Sequence, residues 1–225
     1  MRAANGESQA SARAALEELC RSYWYPLYAY ARRRGHDGAS AEDLTQGFFT
    51  QLLARDDLAK ADPTRGRFRS FLLTAFQNFL LNEQVRQEAL KRGGRHRVLS
   101  IDSAEAAARY ELEAAGGESP ERLFARRWAL DLLARVRRQL RDEYVSAGKG
   151  ELYQRLEGVL AGQLETAPLA TIAAELGLSE SAVKVASFRL RRRFGERLRE
   201  EIAHTVSSPA EIDEEIRDLF EALRT

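Results

Sequence analysis

The sequence predicts an all-α protein made of two small helical domains. Apolar residues recur at the three- and four-residue spacing of amphipathic helices, and no useful length alternates with the two-residue period of a strand. The 225 residues suffice for two small domains, and two basic stretches are separated by an acidic one. We therefore expect a first domain over residues 8–98, a linker over 99–118, a second domain over 119–205 and an acidic helical tail over 206–225.

Composition argues against several other classes of protein. The chain has no apolar run of about 18 residues and no apolar signal core near its start, so we expect a cytoplasmic protein without a membrane span. The single cysteine, Cys20, has no disulfide partner, and the three histidines have no ligands at metal-binding spacing. Phosphate-loop and nucleophile motifs are missing as well. The expectation is a non-enzymatic protein with no metal or cofactor.

The first domain begins with a helical segment from about Ser8 to Arg34, with Pro26 as the place for a kink or break. Ser40 is expected to cap the second helix, with Asp43 as its capping partner. The third helix starts near Phe68, and Phe76 and Phe79 are expected in its core face. Its remaining surface mixes aromatic, amide and cationic groups.

The second domain is expected to begin at Ser119 and Pro120, because proline is tolerated at the first helical position. A shorter helix follows from about Glu151 to Ala161. In the preceding linker, an alanine-rich part from Ser103 to Tyr110 is compatible with a helix.

The most informative stretch is GLSESAVKVASFRLRRRF, from Gly177 to Phe194. A short helix after Pro168 ends at Gly177, and Ser179 caps a longer helix; this is the pattern of a DNA-binding helix-turn-helix. Its second helix would read bases, and its arginines would hold phosphates, although a solvated basic helix face would carry the same charges. The predicted DNA-facing residues are Glu180, Ser181, Lys184, Ser187, Phe188, Arg189, Arg191, Arg192 and Arg193.

Three segments together resemble the extracytoplasmic-function (ECF) type sigma factors of bacterial RNA polymerase. The segment SAEDLTQGFFTQLL at 40–53 resembles their helix that binds the β′ coiled coil. The segment GRFRSFLLTAFQNFLLNEQVR at 66–86 is similar to the helix that contacts the opened promoter-proximal element. The helix-turn-helix at 168–194 resembles the region that reads the upstream promoter element and binds the β flap. The turn from Asp56 to Arg65 resembles the loop that captures a flipped base.

The resemblance implies roles for particular residues. Glu42, Asp43 and Gln46 would bind the polymerase, although Asp43 and Glu42 could instead serve only the start of their own helix. Opened DNA suits a surface with cations and stacking faces. The implied contacts to it are Arg65, Arg67, Arg69, Phe71, Asn78, Asn82 and Arg86.

The sequence also departs from the family. Phe71 stands where many members have tryptophan, and Ser40 replaces an acidic residue. Phosphorylation at Ser40, Thr45 or Thr50 would restore a negative charge, which would make a kinase a partner; the alternative is plain cap and surface hydroxyls. The acidic tail could mask the basic second domain, dock on a partner, or pack on its own domain.

The resemblance therefore predicts an alternative sigma factor that brings RNA polymerase core to promoter DNA and helps to open it, with an anti-sigma factor as a further candidate partner. A stand-alone helix-turn-helix regulator would bind duplex DNA without polymerase. A weaker alternative is a helical protein whose basic runs bind RNA or an acidic partner. Dependence on polymerase separates the first hypothesis from the other two.

Overall fold

The computed structural model describes residues 21–54, 67–89, 103–113, 117–161 and 169–224. All regular secondary structure in these ranges is helical, which confirms the predicted all-α fold. Cys20, Arg65, Pro168 and the turn from Asp56 to Arg65 lie outside the described residues. The helices are α1 (described over 21–33), α2 (Gly38–Ala54), α3 (Phe68–Ala89), α4 (Ser103–Glu113), α5 (Pro120–Ser146), α6 (Gly150–Leu156, continued by a 3-10 turn, Glu157–Ala161), α7 (Leu169–Leu176), α8 (Glu180–Ala203) and α9 (Pro209–Ala222).

The chain forms two compact units. Of the described residues, unit 1 contains those up to Asp131 and those from Thr205 onwards, and unit 2 contains those between Leu132 and His204. This division differs from the predicted boundaries at residues 119 and 206, because the first half of α5 and the tail both belong to unit 1. Phe124 at the start of α5 is buried against Tyr23 of α1, with ring centroids 6.5 Å apart.

Unit 1 has an aromatic core. Phe76 of α3 is fully buried and packs edge-on against Phe48 of α2 and Tyr30 of α1. The distances between ring centroids are 5.1 Å to Phe48 and 6.1 Å to Tyr30. Such pairs add about 0.5–1.5 kcal/mol each beyond the area they bury. Phe79 stacks beside Phe76 in the same cluster, as predicted. Helix α1 continues through Pro26, so the helix does not break there.

The predicted linker contributes a packed helix to unit 1. Helix α4 extends three residues beyond the predicted end, and its Tyr110 is buried. The Arg32 guanidinium lies 4.4 Å from the Tyr110 ring centre and forms an ion pair with Glu111 at 2.7 Å. A cation held between a ring and a carboxylate fixes this helix against α1.

Helix α2 begins one turn earlier than predicted. Asp37, not Ser40, is the capping residue: its Oδ1 accepts the Ser40 backbone N–H at 2.7 Å. This hydrogen bond, together with one from the Ser40 side chain, lowers the pKa of Asp37. The prediction for Ser40 was wrong because Asp37 stands three residues earlier, where a carboxylate reaches the free N–H groups of the helix start.

Unit 2 packs the second half of α5 with α6, α7 and α8. Leu140, Tyr153, Leu156 and Leu190 are among its buried core residues, and the Tyr153 hydroxyl donates to the Arg137 carbonyl at 2.9 Å. At the other end of α5, in unit 1, the Ser119 Oγ accepts the Arg122 N–H at 3.2 Å, which confirms the predicted helix start.

Candidate nucleic-acid interface

The turn between α7 and α8 is closed at both ends by local chemistry. Gly177 has φ +63°, a left-handed conformation that glycine adopts without a Cβ penalty, and the Leu178 N–H returns to the Ala173 carbonyl at 2.9 Å. The Ser179 Oγ then caps α8 by accepting the Ala182 N–H at 3.2 Å. Both predictions for this turn are confirmed, and the turn fixes where α8 begins relative to α7.

Helix α8 buries one face against α7 and leaves the other open. Val183 and Leu190 are fully buried in the cluster that contains Ile172, and Leu176 packs on it. The opposite face exposes three of the predicted base-reading residues and the aromatic ring of Phe188, which is 65% exposed. The exposed predicted residues near the start of α8 are Glu180, Ser181, Lys184 and Phe188.

Ser187 differs from the prediction. It is buried, and its hydroxyl donates to the Val183 carbonyl at 2.9 Å. The residue lies four positions after Val183 and three before Leu190, so the helical period turns it inwards. Ser187 is therefore not on the open face of α8.

The four arginines near the middle of α8 have different surroundings. Arg189 and Arg191 are exposed and form no ion pair within the described part of the chain. Arg192 is also exposed and pairs along the helix with Glu196 at 2.9 Å, which lowers the pKa of that carboxyl through the hydrogen bond. Arg193 reaches Glu143 of α5 at 3.2 Å. Arg189 and Arg191 are thus open to an external anion. Arg192 is held only by an exposed ion pair, and Arg193 binds α8 to α5.

Sequence reasoning missed Glu143 because it lies 50 residues before its partner. It also missed an open groove of about 580 Å³ between the end of α5, α6 and α8. Tyr144, Leu152 and Val185 give this groove an apolar lining, and Arg189 stands at its edge. The groove offers apolar surface beside a cation.

Helix α2 carries the predicted polymerase-binding residues. Asp43 is exposed, Glu42 and Gln46 are half-buried, and Thr50 is exposed one turn beyond Gln46. Asp43, Gln46 and Thr50 share one face by the helical period. Thr45 lies on the other side: it is fully buried, and its hydroxyl donates to the Ala41 carbonyl at 2.7 Å.

The second half of α3 presents an open polar surface. Asn78, Asn82 and Arg86 are exposed, and Arg86 makes a 3.2 Å ion pair with Glu83 one turn away. Leu81 and Val85 are exposed beside them, which sequence reasoning did not single out. Phe71, near the start of the helix, is half-buried, and its ring centroid lies 6.2 Å from that of Phe68.

At the start of α3, Arg67 and Arg69 are occupied by carboxylates of α9. Arg67 pairs with Glu214 at 3.0 Å, with Glu215 at 3.1 Å and with Asp218. Arg69 holds both oxygens of Glu215, at 3.0 and 3.1 Å. Burial alone would lower the pKa of Arg67, but the facing carboxylates outweigh it and raise it.

The tail therefore lies in unit 1 with α3. The masking hypothesis drawn from the sequence had placed it on the basic helix of the second domain. Its apolar stripe explains the docking only in part: Leu219 is fully buried, whereas Phe220 is exposed. The ion pairs with Arg67 and Arg69 add polar contacts to this packing. No local sequence pattern pairs these residues, because α3 and α9 are far apart in the sequence.

In the ranges that the structure describes, no helix is both long and apolar enough to cross a bilayer. The same residues include no cluster of His, Cys, Asp and Glu side chains that could hold a metal ion. The surfaces found on α2, α3 and α8 consist of exposed cations, amides, carboxylates and a few apolar side chains.

Exposed arginine and lysine side chains clustered along one helix are typical of proteins that bind nucleic acids. Residues 19–89, which contain α1, α2 and α3, match the family model described as Sigma-70 region 2. The match covers less than half of the chain and shows that this segment is similar to region 2 of the sigma-70 family. Neither the curated proteins nor the solved structures that were compared include a significant match.

Proposed function

We propose that the chain is an alternative sigma factor of the ECF type, which brings RNA polymerase core to specific promoters and assists their opening. The observation that carries this proposal is the Sigma-70 region 2 match over residues 19–89. The match includes α2 and α3, whose open faces carry several of the residues that the family resemblance implicates.

In this proposal α2 binds the β′ coiled coil of the polymerase. Asp43 and Gln46 lie on its open face with Glu42 at the edge, so the face carries carboxylates that suit basic groups on a partner. Asp37 already caps this helix, which leaves Asp43 without the capping role considered for it. Asp43 is thus available for contact with a partner.

Helix α3 then contacts the opened DNA strand. Amides and a cation at Asn78, Asn82 and Arg86 can bind bases and phosphates, and the neighbouring apolar side chains Leu81 and Val85 offer surface to unstacked bases. Arg67 and Arg69 are engaged with carboxylates, so the exposed second half of α3 offers the readiest contacts.

Unit 2 reads the upstream duplex element as a helix-turn-helix. Glu180, Ser181 and Lys184 lie at the start of α8, where a major-groove helix meets base edges. Phe188 offers an apolar contact for a thymine methyl group, and Arg189 and Arg191 face phosphates. The apolar groove beside Arg189 is a candidate site for the β flap.

A stand-alone regulator of duplex DNA is the second candidate function, and the well-formed turn between α7 and α8 favours it. Such a regulator would need unit 2 but no polymerase. Binding of the purified chain to core polymerase separates the two candidates. A chain that binds duplex DNA and never binds core would be the regulator.

Of the three hydroxyls considered as phosphorylation sites, Thr50 is the best candidate. Thr45 is buried, whereas Thr50 is exposed on the same face as Asp43. The hydroxyl of each residue donates to the backbone carbonyl four positions earlier. Ser40 is half-buried beside the Asp37 carboxylate, where a phosphate would meet a like charge. Thr50 is therefore the residue at which a kinase would add charge to the polymerase-facing surface.

The experiment that tests the proposal measures binding of the full chain to purified core polymerase, with two charge-reversal variants. Asp43→Arg should weaken core binding by about tenfold or more, because a like-charge contact across an interface costs several kcal/mol. Asp142→Arg is the matched control: Asp142 is also exposed but lies on α5 in unit 2. Equal affinities for both variants would contradict the assignment of α2, and no core binding by the unmutated chain would contradict the function.

A further inference from the structure

We propose that α9 is an intramolecular cover for an anion-binding surface at the start of α3, and that DNA and α9 compete for Arg67 and Arg69. The inference rests on the proposed function, since it names a second occupant for part of the surface assigned to DNA. Its evidence is a set of contacts within unit 1.

The carboxylates of α9 bind the two arginines in the way that phosphates would. Glu215 binds Arg69 through both carboxylate oxygens, the two-point geometry with which guanidinium groups also hold phosphates. Glu214 and Asp218 add two more carboxylates around Arg67. Because three carboxylates face two guanidinium groups, the docked cluster is net negative and repels phosphate.

The cover also contacts the backbone of α3. The N–H of Phe68, the first residue of α3, donates to the Thr205 carbonyl at 2.9 Å. The first N–H groups of a helix have no partner within the helix and attract anions. The segment that leads into α9 therefore occupies one donor of this helix start, beside the two arginines that α9 covers.

A competing anion can displace α9 from the two arginines. Glu214 and Asp218 are about half exposed, so their ion pairs are screened by salt and worth little alone. Glu215 is buried and pairs with both arginines, so a competing anion must replace its carboxylate. Helix α9 has only 14 residues, and isolated helices of this length are marginal in water. The helicity of α9 therefore depends on docking. An anion that binds Arg67 and Arg69 would both release α9 and unfold it.

A surface remains at the start of α3 when α9 is absent. The Arg69 guanidinium lies 4.3 Å from the ring centre of Trp128 on α5, so a second contact besides Glu215 positions it. When the α9 carboxylates leave, the Arg69 guanidinium would remain against the Trp128 ring and be free to bind a phosphate. Arg67 would stand two residues away on the same helix start.

The test compares single-carboxylate variants in the full chain. Asp218→Asn removes a carboxylate that pairs with Arg67 and Arg69, whereas Glu221→Gln removes an equal charge that pairs only with Arg224 in the described contacts. The probe is a single-stranded oligonucleotide of about 12 nucleotides, titrated between about 50 and 200 mM salt.

Asp218→Asn should bind the oligonucleotide several-fold more tightly than Glu221→Gln at the lower salt. Its slope of log affinity against log salt should be steeper by about 0.7, the value for one added contact to a single strand. Adding Arg67→Gln to Asp218→Asn should remove the gain. Equal binding by Asp218→Asn and Glu221→Gln would reduce the effect to net charge and overturn the proposal.

Hydrogen exchange gives a second readout that binding by unit 2 does not affect. Saturating oligonucleotide should speed amide exchange across Pro209–Ala222 in the unmutated chain. Unchanged or slower exchange in α9 at saturation would show a permanently docked helix and overturn the proposal. Neither readout uses polymerase, so a chain that fails to support transcription would contradict the proposed function while the competition could still be observed.

Discussion

The two basic stretches of the chain look alike in the sequence and differ in the structure. At the start of α3, Arg67 and Arg69 are each held by carboxylates of α9. On α8, Arg189 and Arg191 are exposed and form no ion pair within the residues that the structure describes. The same residue type therefore serves internal cohesion in unit 1 and remains available for an external anion in unit 2. Net charge along a sequence reports how many cations exist and not which of them are free.

The largest expected effect comes from removing core packing of unit 2, which holds α8 and its open face in position. Leu190 is fully buried in the core of unit 2, so Leu190→Ala should lower the free energy of unfolding of this unit by about 2–5 kcal/mol. Amide exchange of α7 and α8 measures the loss, and duplex DNA binding should fall with it.

Two controls make this result specific. Arg191→Ala changes an exposed residue on the same helix and should alter stability by less than about 0.5 kcal/mol. Leu190→Met keeps most of the volume and should restore most of the protection. A Leu190→Ala protein with unchanged exchange in α7 and α8 would contradict the packing described for unit 2.

A smaller effect would sharpen the distinction between free and engaged arginines within α8 itself. Arg191→Ala should weaken duplex binding and reduce the slope of log affinity against log salt by about 0.9, because one phosphate contact is lost. Arg193→Ala should change the slope much less, since Arg193 is bound to Glu143. Filter binding or fluorescence anisotropy over a salt series gives both slopes. Equal slopes would show that the ion pair with Glu143 does not withhold Arg193 from DNA.

The smallest expected effect concerns a carboxylate that is held by backbone and hydroxyl donors instead of arginine. Asp37 has a lowered pKa because it accepts hydrogen bonds from Ser40, so its ionised form is favoured by folding. Its contribution should be fully present above the ordinary pKa of about 3.9 and should fade as the pH falls through the lower folded value. Asp37→Asn, which caps without a charge, should lose less stability on acidification.

Urea denaturation at neutral pH and in acid compares the two proteins. The stability difference between the unmutated chain and Asp37→Asn should shrink as the pH falls. A difference that stays constant would contradict the role of the ionised carboxylate at the start of α2.

Local patterns in the sequence were enough to predict much of the fold. Helical periodicity predicts an all-α chain, and the Gly177 and Ser179 signals predict the α7–α8 turn, because each depends on residues within a few positions of one another. The cap of α2 was misplaced by one turn because both Asp37 and Ser40 are good capping residues. Only the backbone geometry distinguishes them.

Partners distant in sequence account for what could not be predicted. The carboxylates that occupy Arg67 lie about 150 residues later, and Glu143, which binds Arg193, lies 50 residues earlier. No local rule of composition or spacing pairs these residues. Ser187 is a different case, since the positions of Val183 and Leu190 on the helical period were sufficient to predict its burial.

The most direct test of the central claim is transcription reconstituted from purified core polymerase, the full chain and a library of promoter sequences. We predict specific initiation that requires both the chain and the core, at promoters whose upstream element is recognised by the open face of α8. Duplex binding without any core-dependent initiation, from a chain that also fails to bind core, would contradict the account and identify a stand-alone DNA-binding protein.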